Sequence, residues 1–81
     1  MEYCLAVFKS RTQTMKFYER LSSLGVPCSV VNTPRQASLG CGLSVKFPVQ
    51  YLSHVRRLLG SENYYSYGGI FRVNGNSVRP Y

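Results

Sequence analysis

Carboxylates, histidine and paired cysteines are all scarce in this chain, and each shortage removes a class of chemistry. Its 81 residues hold three acids, one histidine and three cysteines. No Asp or Glu occurs between Glu19 and Glu62, so nothing acidic in that stretch opposes a negative charge. Cys4, Cys28 and Cys41 form an odd set with no C-x-x-C pair, whereas a secreted disulfide framework shows an even count at this length. Reduced thiols in a cytoplasm are the expectation. The gaps separating Cys28, Cys41 and His54 are 12 residues each. They lack the short chelating hooks of structural zinc sites, so neither a metal nor another cofactor is expected. His54 has no Asn or Asp clearly placed to orient it, which argues against a Cys–His pair for acyl transfer. No apolar run approaches the ~18 residues of a membrane span. Met1-Glu2-Tyr3-Cys4 also lacks the basic start and apolar centre of a signal peptide. The expectation is a soluble cytoplasmic protein with no membrane partner.

What the chain does have is positive charge, formally +7. That balance suits an anionic partner: nucleic acid, a phosphorylated substrate or an acidic protein face. It also suits a plain solvated surface built from Lys9, Lys16, Arg20, Arg56 and Arg57.

The length predicts one domain, residues 1–81, because two cores cannot be built from so little chain. Tyr3 to Phe8 is an apolar run of strand formers. Ser10 and Gln13 have capping-box spacing, and Met15, Phe17, Tyr18, Leu21 and Leu24 recur at near-helical intervals up to a terminating Gly25. Val26 to Val31 reads as a second strand. Residues 32 to 41 form a loop rich in turn formers, and Leu43 to Phe47 alternates as a third strand. Pro48 opens a helix with Leu52, Val55 and Leu59 on its apolar stripe, and Gly60 is expected to stop it. A last strand is split around Gly68-Gly69, with Ile70 to Val73 the surer half, and the tail 74–81 is expected to be loosely ordered. The order β-α-β-β-α-β predicts an α+β, ferredoxin-like fold. In it, two helices cover one face of a four-stranded antiparallel sheet and leave the other face open.

Within the loop, Cys41 lies between Gly40 and Gly42. Glycines leave the backbone free and the thiol sterically open. Arg35, in the same loop, could favour the thiolate, and backbone N–H groups of Gly40 to Gly42 could form a small anion nest. A packed small residue at the start of a strand is the other reading, since free cysteine is among the most buried types. Cys4 and Cys28 lie inside apolar runs and read as core residues. The segment Tyr64, Tyr65 and Tyr67 reads as half-buried strand residues or as an interface anchor.

Taken together, Pro34-Arg35-Gln36-Ala37-Ser38-Leu39-Gly40-Cys41-Gly42-Leu43-Ser44-Val45-Lys46-Phe47 resembles the motif of a family of small selenium/sulfur carrier protein-like proteins. The ending Gly69-Ile70-Phe71-Arg72-Val73 is similar to that family's last strand. Where the family tends to have Ser before its Cys, this chain has Gly40, which loosens the loop and removes a hydroxyl. The resemblance implies that Cys41 is a carrier thiol. It would hold a persulfide or selenosulfide received from a donor protein and passed to an acceptor, with Arg35, Gly40 and Gly42 stabilising the anion. Such a protein is more a carrier than a true enzyme.

Two other functions fit the same order of elements. One is an RNA-recognition-like binder of single strands, but Cys41 and Leu43 fall where its stacking aromatics should be, which argues against nucleic acid. The other is a non-catalytic interaction module, including a homodimer formed through a sheet edge or the tyrosine segment.

Overall fold

The computed structural model describes residues 2–38, 40 and 42–81. Strand β1 (Glu2–Phe8) alternates its side chains across the sheet. Cys4, Ala6 and Phe8 join the core beneath the helices, and Leu5 and Val7 join a second cluster on the opposite face.

Helix α1 (Arg11–Ser23) starts where Ser10 Oγ accepts the Gln13 N–H at 3.3 Å. Among the described residues the reciprocal half of a capping box is not made. The Gln13 side-chain oxygen instead accepts from Ser66 N–H and Oγ, both at 3.4 Å, because Gln13 is buried against the segment that precedes the fourth strand. The helix ends as expected at Gly25, whose φ is +83°. Gly25 N–H donates to Ser22 C=O and Val26 N–H to Leu21 C=O, the two bonds of a Schellman motif. Leu21 and Val26 are both buried in the core cluster, so the cap also carries its apolar contact.

Strand β2 (Ser29–Asn32) is shorter than expected and runs antiparallel to β3 (Leu43–Phe47). A 3-10 turn at Val49–Tyr51 leads into α2 (Leu52–Ser61). The helix passes through Gly60 instead of stopping there, since Gly60 keeps a negative φ and Glu62 N–H still reaches Leu58 C=O at 3.1 Å. Strand β4 (Tyr67–Asn74) is continuous. The expected split is a bulge: Val7 pairs with Gly69 and Phe8 with Tyr67, so Gly68 is the extra residue and Gly69 takes φ +126°.

Three further expectations need correction. The tail is not loose: Gly75, with φ +61°, turns the chain and Ser77–Pro80 form β5 against β4. The antiparallel sheet therefore has five strands, in the order β2-β3-β1-β4-β5, not four. Nor is the helix-free face fully open. Leu5, Val7 and Val73 are buried there with Ala37, which belongs to a 3-10 turn at Arg35–Ala37 in the β2–β3 loop. That turn covers part of the sheet.

Candidate functional site

The pairing of β1 with β3 decides what meets the β2–β3 loop. Val7 lies opposite Ser44, so the residues following β1 come beside those leading into β3. Lys9 is held there by its N–H donating to Ser66 C=O at 2.9 Å, and Arg11 opens α1. Lys9, Arg11, Asn32, Gly40, Gly42 and Leu43 line an open cleft of about 520 Å³.

The cleft is electropositive for three separable reasons. It carries two cations. It lies at the positive end of α1, whose first turn has no acidic residue and whose leading N–H groups point outward. And the carboxylates are elsewhere: Glu62 accepts from Arg20 Nε at 2.6 Å and Glu2 from Arg72 Nε at 2.6 Å. Glu19 lies eight residues beyond Arg11, about 12 Å along the helix. Among the described residues, no carboxylate is within ion-pair distance of Lys9 or Arg11.

The loop has firm anchors on both sides of its glycines. Thr33 N–H donates to Gly42 C=O at 2.8 Å, and the Thr33 and Ser44 hydroxyls share a 2.5 Å hydrogen bond. Ala37 N–H closes the 3-10 turn on Pro34 C=O at 3.0 Å. The two glycines differ in backbone demand. Gly40 has φ +108°, a conformation that strains any side chain, while Gly42 is outside that region.

Of the four expected site residues, Gly40 and Gly42 are together on the cleft. Arg35 is exposed at the start of the 3-10 turn and is not among the residues lining the cleft. Cys41, with the expected exposure of its thiol, lies outside the described residues. Lys9 and Arg11 were missed as cleft residues because they belong to a different part of the chain. The antiparallel β1–β3 pairing was the signal that could have placed them.

The other two thiols are in quiet positions. Cys4 is fully buried, and burial pushes its pKa up. Cys28 is half-buried with its Sγ 3.9 Å from Tyr18 C=O, and burial raises its pKa too. Because Ser29 pairs with Lys46, Cys28 is level with Phe47, five residues from Gly42, or about 16 Å along the strand. A disulfide needs Cα atoms within ~7 Å, so the start of β2 is out of bridging range of Gly42. His54 is exposed, 5.6 Å ring to ring from Tyr51, and lines a different depression with Arg20, Leu24 and Arg57. Base stacking would need rings on the helix-free face of β3. Register puts Ser44 and Lys46 there, opposite Val7 and Leu5, and Ser44 is fully buried.

Such a site can attract and hold an anion beside the loop. Among the described residues it assembles no metal-ligating cluster, and no helix there is long and apolar enough to cross a membrane. A search of curated proteins and of solved structures finds no match. The family described as "Putative Se/S carrier protein-like" matches residues 3–72, from the second residue of β1 into β4. The chain belongs to that family.

Proposed function

We propose that the protein is a sulfur or selenium carrier in which Cys41 holds a persulfide or selenosulfide, taken from a donor protein and delivered to an acceptor. The observation that carries this reading is the basic cleft lined by Gly40 and Gly42, the chain neighbours of Cys41. A persulfide is an anion at neutral pH, and unpaired cations with a helix N-terminus favour it as they favour a thiolate. Burial holds Cys4 and Cys28 in the protonated thiol form, which is neither nucleophilic nor easily loaded. In fold terms we read β2-β3-β1-β4 with its helices as a ferredoxin-like unit extended by β5, with the carrier loop at the end where β1 passes into α1. A reducing cytoplasm would keep the carrier thiol available.

Intact-protein mass spectrometry tests the reading. After incubation with a protein persulfide donor, the reduced chain should gain one sulfur atom, and Cys41→Ser should gain none. The doubly substituted Cys4→Ser, Cys28→Ser chain should load like the parent. Loading on Cys4 or Cys28, or no loading, would overturn the assignment.

A further inference from the structure

We propose that the cleft formed by Lys9, Arg11, Asn32, Gly40 and Gly42 is a binding site for a tetrahedral oxyanion bearing a transferable chalcogen: thiosulfate or its selenium analogue selenosulfate. The binding half stands on the cleft alone. The transfer half rests on Cys41 being the carrier thiol, as proposed above.

Size and lining select the ligand class. At about 520 Å³ the cleft falls within the ~300–1,000 Å³ range of small-molecule sites. Among the described residues Leu43 is the only apolar one lining it and none is aromatic, so a nucleotide would find phosphate contacts but no ring to hold its base. A compact dianion matches what is present. Lys9 and Arg11 supply charge from one wall, and Arg11 can engage two oxygens at once. Asn32, at the end of β2, and the two glycines of the loop complete the lining, and neither glycine puts a side chain in the way. Without an anion the arrangement is poorly stabilised, because two cations share the positive end of a helix with no carboxylate within ion-pair distance among the described residues.

The chemistry closes without an added oxidant. The Cys41 thiolate attacks the outer sulfur of thiosulfate, forming one sulfur–sulfur bond while the bond to the sulfonate sulfur breaks. Sulfite leaves with that bond's electron pair and both thiosulfate charges. The thiolate charge stays on the new persulfide. Selenosulfate gives the selenosulfide by the same exchange. Charge concentrates on the sulfonate oxygens as sulfite departs, and this is the end of the ligand that Lys9 and Arg11 would hold.

The two halves are tested separately. Cys41→Ser protein, labelled with 15N, is titrated with sodium sulfate and with thiosulfate against sodium chloride at matched ionic strength. Saturable shifts of the Arg11, Gly40 and Gly42 amides are expected. They should weaken at least tenfold when Lys9→Ala and Arg11→Ala are added, and return with Lys9→Arg plus Arg11→Lys. Chloride-like shifts, or sulfate binding indifferent to both alanines, would overturn the site. Saturation by an acidic peptide but by neither anion would also overturn it and assign the cleft to a protein surface. The unsubstituted chain with thiosulfate should then release one sulfite per persulfide formed, with a KM at least tenfold higher in the double alanine variant. Anion binding without sulfite release would overturn the substrate assignment. Persulfide loading from a protein donor with no oxyanion binding sinks the cleft and spares the carrier, and binding without loading from any donor does the reverse.

Discussion

At its C-terminal end, α1 has the charge a stable helix favours. Arg20 sits in the last turn and donates to Glu62, which also accepts a 2.8 Å hydrogen bond from Tyr64 Oη. These contacts hold the Glu62 carboxyl below its usual range, and the Tyr64 ring closes over Phe17 with centroids 5.2 Å apart. At the N-terminal end, the same helix meets Lys9, Arg11 and a glycine-rich loop, with no acid in its first turn. One end has charges that satisfy each other around an aromatic core. The other has like charges, added to a positive dipole and left for something outside the chain to balance. A fold optimised only for stability would not spend its N-terminus this way, which is why the difference points to function there.

The closed end should break hardest. Phe17 is fully buried and contacts the rings of both Phe8 and Tyr64. Truncating such a side chain costs about 3–5 kcal/mol, against a total stability of about 4–12 kcal/mol for this length. Phe17→Ala should therefore lower the urea midpoint severely or leave the chain unfolded. A loss below about 1 kcal/mol would mean that this end is not the stabilising centre.

Tyr64 sharpens the comparison through pH. Burial, then its bond to Glu62, pushes its pKa up to about 12 from the ordinary 10. The folded state thus prefers the protonated phenol. This preference is fully present below pH 10 and is lost as pH rises through about 12. Two units correspond to about 2–3 kcal/mol. Denaturant titrations between pH 9 and 12 should show the parent falling more steeply than Tyr64→Phe by roughly that amount. Parallel curves would remove Tyr64 from the closed end's electrostatics.

The comparison also explains which parts were legible in the sequence. Local pattern revealed β1 as an unbroken apolar run buried on both faces, and α1 and β3 by one strongly apolar face each, and the Gly25 terminator is a local backbone rule with few exceptions. The fifth strand escaped because Ser77–Pro80 is half polar, includes a proline and gains its order from pairing with β4 rather than from its own composition. Gly60 misled because a glycine stops a helix only when it takes a left-handed conformation, and here it does not. For the site, Gly40 and Gly42 were visible as local signals around a cysteine. The proposed electrostatic partner, Arg35, was chosen for proximity in the chain, whereas the cleft's cations reach the loop across the β1–β3 ladder. Charge neighbours are set by register, and register is non-local.

The smallest expected effect is also the one with the unusual sign. Arg11 is the first residue of α1 and is exposed, so Arg11→Glu removes a cation from the positive end of the dipole and replaces it with an acid. Charges within the first turn are worth about 0.3–1 kcal/mol, so the variant should be more stable than the parent, with Tm higher by a few degrees at low salt. The gain should shrink as salt is added, because an exposed first-turn charge is screened over ~10 Å at 0.1 M ionic strength. Sodium sulfate should act unequally on the two proteins once ionic strength is matched. It should raise the parent's Tm, since an anion that binds only the folded state stabilises it by mass action, and raise that of Arg11→Glu much less. The two melting points would then converge in sulfate while remaining apart in chloride. If Arg11→Glu instead lowers Tm in chloride, Arg11 is serving the fold, and the contrast between the two ends of α1 fails at the residue on which it most depends.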